Sequence, residues 1–110
     1  MIPQDNIKDF AVAAFRYWAY VEKDSITDIA EYRAITSVNK TFAFLNEHGA
    51  HDCVELVKRV YCRLPAGNIR KGLITHNANR AANSMYIDTR TVWRKLRRAR
   101  NIFKEYYGSN

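Results

Sequence analysis

The segment from Ala81 to Arg98, AANSMYIDTRTVWRKLRR, most constrains what this chain can fold into. Its small and apolar residues have the spacing of two helices that must cross closely. They are Ala81, Ala82, Met85, Ile87, Val92 and Leu96. Asp88 lies at the junction, where its carboxylate can accept hydrogen bonds from the free amides of Arg90 or Thr91. The segment therefore predicts a helix-turn-helix whose second helix begins near Thr89.

The predicted second helix, from Thr89 to about Tyr107, has two chemically different faces. At about 100° per residue, its apolar side chains form a narrow stripe, and its cations cluster on the opposite side. The stripe contains Val92, Leu96, Ala99 and Phe103, and the opposite side contains Arg90, Arg94, Arg97 and Asn101. A cationic outward face fits a DNA major groove, where arginine can donate two hydrogen bonds to guanine and also neutralise phosphate.

Positive charge is concentrated in the same part of the chain. The formal net charge is +7, yet the residues through Pro65 hold 8 Lys and Arg against 9 Asp and Glu. Residues 66–110 hold 10 against 2. This asymmetry indicates that the C-terminal part binds a polyanion, most plausibly nucleic acid. A membrane surface is less favoured, because the basic helix uses its apolar stripe for a core.

Residue roles follow from how such a helix enters a groove, with its first two turns on the bases and later residues on the backbone. The predicted base-reading residues are Thr89, Arg90, Trp93 and Arg94. Trp93 borders the core stripe, so packing is an equal alternative to contact with a thymine methyl. The predicted phosphate contacts are Arg70, Lys71, Arg80, Lys95, Arg97 and Arg98. For each of these, a solvated side chain is the alternative.

The N-terminal half predicts two supporting helices. The first runs from Asp5 to about Lys23 and carries an aromatic stripe, for which a core role is favoured over a nucleic-acid stacking platform. Ser25 followed by Asp28 resembles a capping box that opens the second helix, which runs to about Glu47. Its apolar spacing slips near Thr36 and Ser37, which are weak helix formers, so a break there is an alternative.

Two further helices complete an all-α bundle of about five. Asp52 with Glu55 begins the third helix, and the segment from Pro65 to Gly67 ends it. The stripe of this helix contains Cys53, Val54, Val57, Val60, Tyr61 and Leu64. The fourth helix is capped by Thr75, Asn77 or Asn79 and runs to Met85. The 110 residues are enough for one domain, with 1–64 as support and 65–110 as the helix-turn-helix part.

Tyr86 is the one position that departs from a standard turn. Glycine usually occupies this place because the turn requires a left-handed backbone, which is strained for a bulky residue. Tyrosine here predicts either a different turn or a strained one.

The segment from about Val54 to Gly108 resembles the C-terminal helix-turn-helix of sigma-70 region 4 and of the related phage late-gene regulators of the ArpU and RinA types. The resemblance rests on Ile87-Asp88-Thr89-Arg90-Thr91-Val92, which matches an Ile-Ser-x-x-Thr-Val start of a recognition helix. It rests also on Phe103-Lys104-Glu105-Tyr106-Tyr107-Gly108, which matches an apolar-aromatic tail. It implies promoter or operator binding in a phage or prophage setting.

Other functional classes receive little support from the sequence. Cys53 and Cys62 are nine residues apart, and with His48 and His51 they match no common zinc spacing. No nucleophile elbow, phosphate loop or relay around His76 is present, so an enzyme is the poorest fit and no cofactor is expected. Without a secretory signal or a long apolar run, we expect a cytoplasmic protein.

Double-stranded DNA is thus the expected partner of a transcriptional regulator. The alternatives are an adaptor that contacts RNA polymerase or another factor with only nonspecific nucleic-acid affinity, and an RNA binder. A lone motif of this size covers little DNA, so we also expect a homodimer or cooperation with polymerase.

Overall fold

Five α-helices account for most of the chain in a computed structural model that describes residues 9–22, 25–65 and 67–109. They are α1 (Phe10–Tyr20), α2 (Ile29–Glu47), α3 (His51–Val60), α4 (Leu73–Met85) and α5 (Thr89–Gly108). The described ranges contain no strand. The prediction of an all-α helical bundle with about five helices is confirmed.

Helix α1 is shorter than predicted within the described residues. It begins at Phe10, because the carboxylate of Asp9 accepts a hydrogen bond from the amide of Ala11 at 2.8 Å and caps the helix. It ends at Tyr20, after which the backbone is extended. The predicted limits Asp5 and Lys23 lie outside the described residues.

Helix α2 begins three residues later than the predicted capping box placed it. The hydroxyl of Ser25 donates to the carbonyl of Glu22 at 2.7 Å in a turn ahead of the helix. The cap is instead Asp28, whose carboxylate accepts from the amide of Ala30 at 2.7 Å. Local side-chain chemistry at Asp28 thus decides where the helix starts.

Helix α2 is continuous around Thr36 and Ser37, where a break was an alternative. The hydroxyl of Ser37 donates to the carbonyl of Arg33 at 2.8 Å, and that of Thr41 donates to the carbonyl of Ser37 at 2.7 Å. Both side chains are buried, and these bonds satisfy their hydroxyls without interrupting the helix. The break considered near Thr36 and Ser37 does not occur.

Helix α3 begins at His51 rather than at Asp52, and it ends at Val60 rather than at Pro65. A turn continues from Val60 towards Leu64. Every residue of the predicted stripe is buried. They are Cys53, Val54, Val57, Val60, Tyr61 and Leu64.

Helix α4 begins at Leu73, after Gly72 has taken a left-handed backbone with φ +84°. The predicted caps Thr75, Asn77 and Asn79 are therefore wrong, because all three lie inside the helix. Asn77 has another use: its amide donates to the carbonyl of Val60 at 3.2 Å and joins α4 to α3.

Helices α3, α4 and α5 contact one another as a three-helix unit, α2 packs along α5, and α1 packs against α2 and α5. Phe15 of α1 is fully buried at the centre. Its ring centroid lies 5.8 Å from that of Phe42, 6.0 Å from that of Tyr61 and 5.6 Å from that of Phe103. These aromatic contacts give α1 a core role.

A buried arginine of α1 holds the segment between α3 and α4. Arg16 is 1% exposed, and its Nε donates to the carbonyl of Pro65 at 2.7 Å. Its Nη2 donates to the carbonyl of Gly67. The N-terminal half thereby positions the segment that leads into α4.

Candidate nucleic-acid interface

The turn between α4 and α5 has the left-handed geometry of a helix-turn-helix even though tyrosine occupies it. Tyr86 has φ +55° and ψ +44°. The amide of Ile87 donates to the carbonyl of Ala82 at 3.0 Å, and that of Tyr86 donates to the carbonyl of Asn83 at 3.4 Å, a pairing typical of a Schellman motif. The side chain of Tyr86 is 94% exposed, so no packing within the described chain explains it.

Helix α5 begins where the sequence predicted. The carboxylate of Asp88 accepts a hydrogen bond from the amide of Arg90 at 2.7 Å. Asp88 therefore caps the helix, and its negative charge lies at the positive end of the helix dipole. Thr89, the first residue of the helix, is exposed.

The predicted apolar stripe fixes how α5 is rotated. Its four members are all 0% exposed: Val92, Leu96, Ala99 and Phe103. The Phe103 ring lies 6.0 Å from that of Phe10 and 5.7 Å from that of Tyr107, measured between centroids. Because this stripe faces the core, the opposite side of α5 faces solvent.

Four exposed arginines occupy that opposite side, and we call them the arginine face: Arg90, Arg94, Arg97 and Arg98. Within the part of the chain that the structure describes, no carboxylate forms an ion pair with any of them. A guanidinium is charged at all physiological pH values. The arginine face therefore presents four positive charges that the fold does not neutralise.

Trp93 lies at one edge of the arginine face. It is 37% exposed and lines a groove of about 480 Å³ together with Arg90, Arg94, Arg97 and Arg100. The ring is thus neither a core residue nor fully solvated. A half-exposed indole beside guanidinium groups offers an apolar surface where a base or a thymine methyl could pack.

A second groove, of about 420 Å³, follows the other edge of the arginine face. Arg94, Arg97 and Arg98 line it together with Asn101, Ile102, Glu105 and Phe44. Phe44 belongs to α2, and its ring stacks on His48 with the centroids 4.1 Å apart. Sequence reasoning missed Phe44, because the helical period of α5 carries no information about a side chain contributed by α2.

Some cations of α5 are used by the fold instead. Lys95, predicted to contact phosphate, forms an ion pair with Asp52 of α3 at 2.7 Å, and its side chain is 28% exposed. The hydrogen bond from Lys95 is the main reason why the pKa of Asp52 lies below its usual value. Lys95 therefore does not belong to the arginine face.

Asp9 of α1 engages two further cations. It lies 3.6 Å from Arg100 and 3.2 Å from Lys104. Arg100 also donates to the hydroxyl of Tyr61 at 2.6 Å. Burial raises the pKa of Asp9, but hydrogen bonds from Lys104 and from backbone amides outweigh it, and the net pKa is lowered. These contacts attach α1 to α5.

The remaining predicted phosphate contacts lie apart from the arginine face. Arg70 and Lys71 are exposed in the segment that precedes α4, whereas α5 follows the opposite end of that helix. The length of α4, about 20 Å, separates this segment from the turn. Arg80 is exposed on α4 and lines a small cleft between α3 and α4.

The last turns of α5 are covered by α2. Arg33 donates to the carbonyl of Tyr107 through Nε at 3.1 Å, and its guanidinium carbon lies 4.1 Å from the centroid of the Tyr107 ring. The rings of Phe44 and Tyr106 are 6.4 Å apart. Helix α2 therefore covers one side of the last turns of α5, whereas Glu105 on the other side stays exposed.

The described ranges contain neither a cluster of metal ligands nor a membrane-spanning helix. There, no group of three or more His, Cys, Asp or Glu side chains could hold a metal ion, and both cysteines are free thiols. Burial raises the pKa of Cys62 to about 12. No helix in these ranges is long and apolar enough to cross a bilayer.

No protein-family model, curated protein or solved structure matches this chain.

Proposed function

We propose that this protein is a DNA-binding transcription regulator that inserts the N-terminal part of α5 into the major groove. The observation that carries the proposal is the arginine face, whose four guanidinium groups are exposed and unpaired by any described carboxylate. The helix that bears them is held rigidly by a fully buried stripe. A rigid cationic helix face beside a helix-turn-helix turn matches the shape and charge of duplex DNA.

The dimensions support entry into the groove. Residues 89–98 cover about 14 Å of helix at 1.5 Å per residue. The major groove is about 12 Å wide and admits one α-helix. Beyond residue 102, one side of α5 packs against α1 and α2, whereas the arginine face lies on the helix before that point.

Residue roles follow from position along α5. Thr89, Arg90 and Arg94 lie on the first two turns and are proposed to contact base edges, with Trp93 beside them as an apolar contact. The proposed phosphate contacts are Arg97 and Arg98 on α5 and Arg70, Lys71 and Arg80 outside it. Lys95 is omitted from this set because Asp52 engages it.

The resemblance to sigma-70 region 4 and to ArpU- and RinA-type regulators adds a biological setting to the proposal. A phage or prophage regulator that acts beside RNA polymerase, in the cytoplasm, would use the α4–α5 unit on the promoter and the N-terminal helices for protein contact.

Selection of duplexes from a random DNA pool tests the proposed function. We expect an enriched sequence, and a dissociation constant for it that rises steeply with salt because bound phosphates release counterions. Arg94→Ala should weaken binding to the selected site by about 1 to 3 kcal/mol and relax the preference at one base position. Arg97→Ala should weaken binding to all sequences and reduce the salt slope by about 1.

Lys40→Ala is the matched control for removal of one positive charge, because Lys40 is an exposed cation on α2 and lies outside the arginine face. It should leave the salt slope and the sequence preference unchanged. An unchanged preference in Arg94→Ala would remove Arg94 from the base-reading set.

A protein-interaction adaptor is the second candidate, and exposed apolar side chains at the start of α2 favour it. Ile29 is 84% exposed and Tyr32 is 67% exposed. They are three residues apart and therefore lie on the same side of the helix. A selection that returns no enriched duplex, together with binding to RNA polymerase that Ile29→Ser abolishes, would favour the adaptor over the regulator.

A further inference from the structure

A small basic cleft lies between α3 and α4. Its volume is about 90 Å³, and Arg59, Arg63, Asn77, Arg80, Ala81 and Ser84 line it. Ala81 is buried, whereas Arg63, Arg80 and Ser84 are exposed. The lining therefore combines a small apolar residue with hydrogen-bond donors from two helices.

The cleft carries more positive charge than the protein neutralises. Arg59 forms an ion pair with Glu55 at 2.8 Å, one turn earlier on α3. Arg63 and Arg80 form no ion pair with a carboxylate of the described residues. Like charges that line one small space repel each other, so a bound anion would relieve that repulsion.

The cleft has a fixed frame. The amide of Asn77 donates to the carbonyl of Val60 at 3.2 Å and connects α4 to the end of α3 beside it. Arg59 is oriented by Glu55, and Ala81 leaves space where a larger side chain would fill the cleft. The backbones of α3 and α4 are thus joined beside the cleft, and Arg59 is oriented before any ligand arrives.

We propose that this cleft binds a single phosphate group, and that in the complex with DNA this group is a backbone phosphate. Guanidinium groups bind phosphate oxygens with charge-assisted hydrogen bonds, and Arg63, Arg80 and Ser84 supply donors. The cleft has room for roughly a few water molecules, which is also the size of one phosphate group, and a nucleobase would not fit. The assignment of the phosphate to DNA rests on the proposed function, whereas the site itself does not.

Sequence reasoning found one of the three arginines. Arg80 was predicted to contact phosphate, but Arg59 and Arg63 lie in a half of the chain with no excess of positive charge. The net charge of that half hides them because its acidic residues are counted against them, although among the described carboxylates only Glu55 forms an ion pair with an arginine of the cleft.

Paired binding measurements test the cleft. One probe is inorganic pyrophosphate, followed by calorimetry, of which one phosphate group would occupy the cleft and the other would remain in solvent. The second probe is a duplex of random sequence, followed by fluorescence anisotropy across a salt series. Arg63→Ala and Arg80→Ala should each lower the salt slope for DNA by about 1 and should weaken pyrophosphate binding. Glu55→Gln should strengthen both, because it removes the negative charge that neutralises Arg59 while the amide oxygen can still accept the hydrogen bond. Lys40→Ala serves as the control, and circular dichroism verifies that each variant is folded.

The two probes distinguish a DNA phosphate from a free phosphate ligand, and they test the cleft separately from the proposed function. Loss of both DNA and pyrophosphate affinity in the cleft variants supports a site for a backbone phosphate. Loss of pyrophosphate affinity alone supports the site and assigns it to a free phosphate ligand. Cleft variants that match Lys40→Ala with both probes overturn the proposal. Failure of the unchanged protein to bind any duplex contradicts the proposed function, and the pyrophosphate measurements still decide the cleft.

Discussion

The arginines of α1 and α2 and those of the arginine face have opposite surroundings. In the N-terminal helices, Arg16 is buried and donates to loop carbonyls, and Arg33 donates to the carbonyl of Tyr107 at the end of α5. On α5, Arg94 and Arg97 are exposed and form no ion pair with the described carboxylates. Arginine thus joins separate segments of the fold in one region, and in the other it is an exposed cation that forms no ion pair with the described carboxylates.

This contrast indicates which charges the fold requires. Arg16 and Arg33 donate to backbone carbonyls in a loop and at a helix end, where regular helical hydrogen bonds are lacking, and they connect segments far apart in sequence. The arginine face satisfies nothing within the described chain, and its charges repel one another. Its charges are therefore available for a ligand, and removing them should change binding without unfolding the protein.

Substitution of Arg16 has the largest expected effect. Arg16→Met removes donors to the carbonyls of Pro65 and Gly67 and should lower the free energy of unfolding by about 2 to 4 kcal/mol, because hydrogen bonds from a charged donor to partly buried acceptors are lost. Urea denaturation monitored by circular dichroism measures this change.

The same substitution on the arginine face is the matched control. Arg97→Met should change the free energy of unfolding by no more than about 0.5 kcal/mol, because the side chain is exposed and has no partner to lose among the described residues. Equal losses in Arg16→Met and Arg97→Met would abolish the contrast between the two regions.

Substitution of the two aspartate caps has a smaller expected effect and sharpens the contrast. Asp28 caps α2 and Asp88 caps α5, each through a bond of 2.7 Å to the amide two residues later. Asp28→Ala and Asp88→Ala should each lower the free energy of unfolding by about 1 kcal/mol. Only Asp88→Ala should also weaken the sequence preference for DNA, because fraying of the first turn displaces Thr89 and Arg90.

Asp88→Asn separates the cap from its charge, since asparagine caps helices as well as aspartate does. It should retain both the stability and the sequence preference. Loss of preference in Asp28→Ala to the same degree as in Asp88→Ala would show that general destabilisation, and not the position of α5, controls binding.

The sequence predicted what depends on local spacing and missed what depends on distant contacts. The stripe from Val92 to Phe103 and the Asp88 cap follow from helical periodicity and capping chemistry, and both are present. The side chain of Lys95 pairs with Asp52 on α3, and Arg16 donates to the carbonyl of Pro65, which lies 49 residues further along the chain. No local pattern encodes such pairs, so the sequence predicts a phosphate contact for Lys95 and indicates no role for Arg16.

The start of α4 shows a second reason why a sequence-based prediction can fail. Thr75, Asn77 and Asn79 are all residue types that cap helices, yet the helix begins earlier, at Leu73. Gly72 sets this start through its left-handed backbone, a role that side-chain chemistry does not reveal. Tyr86 is the converse case, because its residue type argues against the left-handed backbone that it adopts.

Replacement of Tyr86 has the smallest expected effect, and it tests the turn directly. Tyr86→Gly should raise the free energy of unfolding by roughly 0.5 kcal/mol, because relief of the left-handed strain exceeds the added chain entropy of glycine. Little packing is lost, since the side chain is 94% exposed.

Gly72→Ala at the other end of α4 is the control for the opposite change. The new Cβ meets no atom within 4 Å, so a loss of about 1 kcal/mol in the free energy of unfolding would come from backbone strain alone. Thermal denaturation of both variants measures the pair. If Tyr86→Gly destabilises the protein as Gly72→Ala does, the exposed ring contributes to the stability of the fold. If Tyr86→Gly stabilises the protein and weakens DNA binding, the strained tyrosine contributes to DNA binding together with the arginine face.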